Sequence, residues 1–374
     1  MTPRLYPDFD LSPHDLRRAL PALAFFAGFL WDALTLGRAV SAVDLWILTA
    51  YLAGAAGVLW WLGRRQALEV GLESRQPPVT APDTAPAITP PRPWWQESGP
   101  YLLLQFLFGG LFSALFIFYF KSSSHLLAYV WALGLGALLV ANEFLEDRYR
   151  RFTLVWLLFG LCAMLLLNFV VPHIVGSVAG FWFFLSTLLG AGLAHGLRLK
   201  TPGRPGRIGP VWGVAAGLFL AYAADLIPPV PLVKRDLAVG HDLVRVEGVY
   251  RLQLEKTPWW VFWRRVSREL HLAPGERLYC VSAVFAPRGL DARLFHRWEH
   301  HEGERGWVTW SRVGFQLSGG REGGYRGYTW KQNLAPGDWR VAVETENERT
   351  VAVHRFSIAA EPRAADAAML AREL

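Results

Sequence analysis

Between residues 208 and 227 the chain reads Ile-Gly-Pro-Val-Trp-Gly-Val-Ala-Ala-Gly-Leu-Phe-Leu-Ala-Tyr-Ala-Ala-Asp-Leu-Ile, and Pro228, Pro229 and Pro231 follow at once. In a helix rising roughly 1.5 Å per residue, such a run covers a hydrocarbon core of about 30 Å. The prolines lack a backbone donor and should end the helix, sending the chain on in extended form. Six other apolar runs of similar length precede this one, at residues 20–36, 43–62, 101–120, 126–142, 152–171 and 178–197. With 52% apolar residues in 374, composition alone would also allow one large globule. Clustering decides against it, because core helices of soluble proteins are shorter and amphipathic. The expectation is a multi-pass α-helical membrane bundle of seven helices, followed by a soluble domain.

The charges between the runs set the orientation. One set of loops holds Arg4, Arg17 and Arg18; Arg64, Arg65, Arg75 and Arg92; Arg148, Arg150 and Arg151; and Arg198, Lys200, Arg204 and Arg207, whereas the opposite set holds only Arg38 and Lys121. Since cytoplasmic loops concentrate Lys and Arg, the N-terminus is expected in the cytoplasm and the C-terminal domain outside, which in a double-membraned bacterium means an inner-membrane protein with a periplasmic domain. Much of the +7 net charge is thereby explained as topology signal, and nucleic acid is not expected as a partner. The run at 20–36 is followed by Ala39-Val-Ser-Ala, which resembles a signal-peptide cleavage site; Asp32 and Arg38 between the two favour an uncleaved anchor.

Residues 76–93 carry seven prolines in eighteen positions, which cannot bury a core and read as a spacer. The organisation expected is therefore a two-helix hairpin over 1–75, a cytoplasmic linker over 76–98, a five-helix block over 99–233, a periplasmic domain over 234–360 and a tail over 361–374. In the last domain, short segments rich in Val, Trp, Tyr and Leu alternate with Gly, Pro and charged turns. Strands are expected at 243–255, 277–286, 293–300, 306–317, 324–332, 339–345 and 350–358. Seven strands at this spacing suggest an all-β, immunoglobulin-like sandwich. The two cysteines, Cys162 in an apolar run and Cys280 in a strand, are not expected to pair.

Two groups of residues are candidates for function. Asp32, His125, His173 and Asp225, with Lys121 and Asn168, stand at the outer ends of apolar runs, where they could line a polar pocket of an envelope enzyme or transporter; each could equally reach interfacial water. Arg321, Tyr325, Arg326 and Lys331 crowd a glycine-rich hairpin beside Tyr328 and Trp330. Guanidinium forks suit carboxylate or phosphate and aromatic rings suit a sugar, so an anionic glycan, a lipid head group or an acidic envelope protein would fit. Strand parity puts Tyr328 and Trp330 toward the core, with Arg321, Tyr325 and Lys331 on the other side. Trp259, Trp260, Phe262 and Trp263, followed by Arg264, Arg265 and Arg268, read as an interfacial element on the outer leaflet or as sandwich core.

Three sharper readings fail on the sequence. His296, Glu299, His300 and His301 contain metal-ligating types, but the adjacent histidines of a strand point to opposite faces and no second cluster joins them, so no metal is expected. Gly319-Gly-Arg-Glu-Gly-Gly is not followed by the helix that a phosphate loop needs. No Ser, His and Asp set stands at recognisable spacing and no nucleotide fingerprint is present, so neither catalysis nor a cofactor has positive support.

The segments Ser318-Gly-Gly-Arg-Glu-Gly-Gly-Tyr-Arg-Gly-Tyr-Thr-Trp-Lys-Gln-Asn, Pro336-Gly-Asp-Trp-Arg-Val-Ala-Val-Glu-Thr and His354-Arg-Phe-Ser-Ile, with Phe295-His-Arg-Trp and Cys280-Val-Ser-Ala-Val-Phe-Ala-Pro, resemble a bacterial domain of unknown function, family 2914. The resemblance spans roughly residues 243–358. The run Gly28-Phe-Leu-Trp-Asp-Ala-Leu-Thr-Leu-Gly-Arg is similar to the membrane region that accompanies this domain in proteobacterial proteins. It implies architecture and no catalytic residue.

Overall fold

The computed structural model describes residues 40–73, 99–122, 130, 133–137, 152–246, 249–257, 261, 266–286, 291–318, 325–363 and 368–373. A helical N-terminal region leads into a β-rich C-terminal domain. The helices are α1 (Ala42–Glu73), α2 (Gly99–Ser122), α3 (Phe152–Val175), α4 (Gly180–Lys200) and α5 (Gly209–Ala223). The first four are long and apolar enough to cross a membrane. The run at 20–36 and most of that at 126–142 lie outside the described residues.

Two helix boundaries differ from the sequence expectation. The Ser41 hydroxyl accepts from the Asp44 amide while the Asp44 carboxylate accepts from the Ser41 amide, a reciprocal cap that starts α1. At its other end α1 continues past Arg64 and Arg65 to Glu73. Arginines end an apolar run but favour helix, and Arg65 bonds Glu69 one turn on. The second difference is α5, which spans fifteen residues rather than twenty. At roughly 1.5 Å per residue this is about 22 Å, too short for a perpendicular crossing. The prolines do not stop it. Asp225 adopts φ 57°, the Leu226 amide bonds the Ala221 carbonyl and the Asp225 amide bonds that of Tyr222. This is the left-handed helix cap usually made by glycine, here made by an aspartate.

α3 is the centre of the bundle and touches every other helix described. Trp156, Phe159 and Phe169 are fully buried in it, packed with Phe108, Phe112, Phe118 and Tyr119 of α2. Small residues permit the closest approaches. A methyl on Gly190 of α4 would lie 2.5 Å from the Met164 amide of α3, and one on Gly160 would lie 2.7 Å from Val211 of α5.

Among the described residues the β-rich domain contains eleven strands where seven were expected. They are β1 (Val233–Gly240), β2 (Leu243–Val246), β3 (Val249–Glu255), β4 (Glu269–Leu270), β5 (Arg277–Phe285), β6 (Asp291–His301), β7 (Trp307–Ser318), β8 (Tyr325–Gln332), β9 (Gly337–Thr345), β10 (Thr350–Ile358) and β11 (Met369–Glu373). Three sheets form, in the orders β1-β5-β8, β4-β10-β9-β6-β7 and β11-β3-β2. The expected strand 243–255 is a hairpin with Val246 opposite Val249, and the expected tail supplies β11, paired to β3.

The sheet β1-β5-β8 is covered on both faces. Leu278, Cys280 and Val284 of β5 join Trp298, Trp339, Val341 and Phe356 of the five-stranded sheet in one core. Ala238 and Val281, of opposite parity, meet Leu252 and Leu254 of β3 in another. The continuous burial of β5 from Cys280 to Phe285 follows from this middle position. Both cysteines are free and buried.

Candidate functional site

The candidates at the helix ends do not form one pocket among the described residues. Asp32 and His125 lie outside those residues. Asp225 faces the β-domain, where its carboxylate lies 3.6 Å from Arg349 in the β9–β10 turn. Arg349 also donates to the Tyr222 carbonyl at 2.6 Å and lies 4.3 Å above the Tyr222 ring. Asp225 thus helps dock the domain, through a partner 124 positions away that no local pattern announces. Asn168 and Pro172 of α3, Phe183 of α4, Tyr222 of α5 and residues 228–230 enclose a cavity of about 20 Å³. Asn168 is fully buried, and among the described residues neither of its amide atoms has a hydrogen-bond partner of good geometry. The space suits about one water molecule and no larger ligand. His173, one residue beyond Pro172, does not line it.

The β8 hairpin residues separate by face in the sense opposite to the expectation. Gly327 and Thr329 are buried, whereas Tyr328 and Trp330 are 46% and 44% exposed. Register explains it. Thr329 pairs with Cys280 and Gly327 with Ser282, both on the core side of β5, so the large aromatics take the other side. Gly327 stands there because a side chain would collide with the Phe315 ring. Tyr325 packs partly against the core. Arg326 shares the outward parity of Tyr328, and its Nε is buried without a hydrogen-bond partner among the described residues. Lys331 is half-buried on the other parity, and Arg321 lies outside the described residues.

The sheet β11-β3-β2 stops short of β8, leaving an aromatic platform. Tyr250 of β3 lies 5.7 Å from Tyr328, and Trp330 is opposite Tyr279. Guanidinium groups interleave with the rings: Arg277 lies 4.4 Å from Trp330 and Arg245 lies 5.7 Å from Tyr250. Cation–π contact holds these cations near the rings while leaving their donors open to a ligand. Of the seven residues 259–265 read as an interfacial element, only 261 is described; the carbonyl of Arg268, which followed them in that reading, accepts from the Ser357 amide.

The histidine segment of β6 is dispersed by the fold. His296 is fully buried between sheets, with Ser282 Oγ at 2.7 Å from Nε2 and Thr329 Oγ1 at 3.0 Å from Nδ1. Trp298 Nε1 donates to the same Thr329 oxygen at 3.0 Å. Burial holds the imidazole neutral, with its pKa down to about 3. Sequence spacing did not suggest this serine–histidine pair. It has the distance of a nucleophile and base, but no solvent or substrate reaches it and its third member is a threonine, so it locks two sheets together. Glu299 is bound by Arg340, His300 stacks on Trp339, and His301 meets Trp307.

A second cluster was also absent from the sequence reading. His241, at the β1–β2 corner, has Nε2 2.7 Å from Glu255 and Nδ1 3.2 Å from Glu276. Glu255 also accepts from the backbone and ring of His271, and Arg363 reaches Glu276. Burial alone would raise the Glu255 pKa, but the bonds from His241 and His271 outweigh it and bring it to about 2. Both nitrogens of His241 are taken by carboxylates, and no group of metal-ligating side chains converges among the described residues.

Residues 291–358, the segment from β6 to β10, match the family described as Protein of unknown function (DUF2914). No curated protein matches the chain. Among solved structures, a β-glucosidase from Listeria innocua in complex with glucose aligns at 12% identity over 34% of this chain and 16% of its own, with a TM-score of 0.20. The aligned segment is thus a small part of that enzyme. An immunoglobulin-like protein from Pseudomonas aeruginosa aligns at 12% identity over 33% of this chain and 97% of its own, with a TM-score of 0.19. Scores this low carry no argument about this protein.

Proposed function

We propose that the chain is an integral inner-membrane protein presenting a periplasmic β-sandwich of immunoglobulin-like type, whose exposed aromatic platform on β3 and β8 binds an anionic glycan. The carrying observation is that Tyr328 and Trp330 stand uncovered in a domain otherwise closed on both faces of its middle sheet, with Arg277 stacked on Trp330. An exposed aromatic pair costs solubility unless something covers it, and flat rings interleaved with guanidinium groups complement a sugar ring bearing carboxylate. The excess of Lys and Arg in alternate loops supports the periplasmic side. The small cavity at Asn168 and the engagement of Asp225 by Arg349 leave the membrane-embedded enzyme or transporter without comparable support.

The test uses the full chain in detergent, titrated with oligogalacturonate and with a neutral dextran of matched length. Oligogalacturonate should bind, and Trp330→Ala and Tyr328→Ala should each weaken it about tenfold while leaving the melting temperature within a degree or two, on the scale of roughly 1–3 kcal/mol that a nucleobase gains by stacking on one aromatic ring. Equal binding of dextran, or wild-type affinity in both variants, would remove the glycan reading.

A further inference from the structure

At the end of the bundle remote from the β-domain, residues 201–208 form a connection far more fixed than a topology signal requires. Trp156 Nε1 donates to the Pro205 carbonyl at 2.9 Å, and Arg198 Nη2 donates to the Arg204 and Gly206 carbonyls at 2.9 and 2.6 Å. The Arg207 amide donates to Thr153 Oγ1 at 2.9 Å. Gly203, Arg204 and Gly206 all take positive φ, and a methyl on Gly206 would press on the α3 backbone at Thr153. α1 seals the other side: a side chain on Gly63 would collide with Thr201, and one on Gly203 would meet Ala67. A signal that works by charge alone needs none of this order.

The fixed loop displays cations without counter-charges. Arg64, Lys200, Arg204 and Arg207 are exposed, and among the described residues none of the four has a carboxylate partner. Arg198 spends its charge on carbonyls rather than on an acid. In the stretches 60–73 and 198–208 six cations face two acids, Glu69 and Glu73, and Arg65 already binds Glu69. Beside them stand exposed Trp60, Trp61 and Trp212, the residue type that settles at head-group depth. Arg64 is held 5.6 Å from the Trp60 ring, at the edge of the same surface.

We infer that this end of the bundle is a seat for the phosphate of an anionic phospholipid, held by Lys200, Arg204 and Arg207 from the loop and Arg64 from α1. Guanidinium groups pair with phosphate in two parallel hydrogen bonds, the rigid loop pre-positions them, and the tryptophan belt sets the depth at which a head group meets them. The inference is independent of the glycan reading, which concerns the opposite end of the molecule.

The experiment is lipid retention by the full chain, released from nanodiscs of phosphatidylglycerol and phosphatidylcholine and weighed by native mass spectrometry. Wild-type protein should retain phosphatidylglycerol selectively. The triple variant K200Q/R204Q/R207Q should lose that preference by on the order of a hundredfold in the additive limit, about fivefold for each cation at an anionic surface. R204K/R207K keeps the charge but not the paired guanidinium bonds, and should retain phosphatidylglycerol more weakly than wild type yet better than the triple variant. Selective retention by the triple variant, or wild-type retention by the lysine variant, would overturn the guanidinium seat. Millimolar inorganic phosphate should leave the melting temperature unchanged; protection equal to that of phosphatidylglycerol would overturn the lipid as occupant.

Discussion

His296 carries the clearest consequence of a single side chain. Trp298 N–H, Thr329 O–H and His296 Nδ1 can chain in one direction while His296 Nε2–H donates to Ser282, an assignment that leaves no donor idle. His296→Leu strands two hydroxyls between sheets and should cost about 1–3 kcal/mol for each, measured by urea unfolding at neutral pH. The pH dependence has a definite sign. With the folded pKa near 3, the unfolded chain takes up the proton below pH 6.5 while the native state does not, so stability is full above 6.5 and falls toward 3, by at most about 1.4 kcal/mol per pH unit. His354, lowered to about 4 by burial and the nearby Arg268, Lys234 and Arg372, acts in the same sense. Glu344, raised to about 6 by burial against the pull of Arg297 and Arg312, opposes it: its contribution is present below 4.5 and lost as pH rises through 6. The leucine variant should therefore show a shallower acid slope than wild type, and an unchanged slope would contradict the buried neutral imidazole. None of this was legible in the sequence, where His296 stood beside His300 and His301 as a metal candidate. Its partners come from β5 and β8, and only the register of three strands brings them within 3 Å.

Among elements, the apolar runs were readable because burial in lipid or protein demands length and hydrophobicity, and α2, α3 and α4 fall on them. The ends were not. α1 outlasts its apolar run because Arg, Gln, Ala, Leu and Glu continue a helix as well as any residues do, and α5 ends early because aspartate takes a conformation normally left to glycine. Strand existence was legible from alternation for β6 to β10. β1 and β11 were missed since charged Lys234-Arg-Asp and an alanine-rich tail conceal pairing that only tertiary contact stabilises. The close contact of α3 and α4 gives an element-level prediction. Gly190→Val would force a branched side chain against the Met164 backbone, so the two helices must separate, and the melting temperature in detergent should drop by several degrees. Gly192, with open space around it, serves as control: Gly192→Val should change the melting temperature far less, and equal effects would show that helix propensity rather than packing is at work.

For the whole molecule, the question is what fixes the β-domain against the bundle. Between α5 and β1 the chain runs through buried residues 227–233, so the connection itself is held. The β9–β10 turn adds a second attachment, because Arg349 reaches Tyr222 and Asp225, and a methyl on Gly180 at the start of α4 would meet the Asn347 side chain. The charges are partly solvated, which limits the ion pair to a fraction of the Tyr222 carbonyl bond; the guanidinium stacked on the ring makes the larger, orientation-dependent part. Two substitutions at Asp225 separate its roles. Asp225→Gly keeps the left-handed cap and loses the carboxylate, so it should be close to neutral in stability. Asp225→Ala loses the carboxylate and also strains the cap, costing about 1–2 kcal/mol. Arg349→Gln removes both the stacking and the carbonyl bond, and should raise amide exchange at 222–226 and 345–349 without lowering the unfolding midpoint of the β-domain. Faster exchange confined to those two segments is the signature of undocking; protection unchanged in Arg349→Gln would mean that residues 227–233 hold the domain alone.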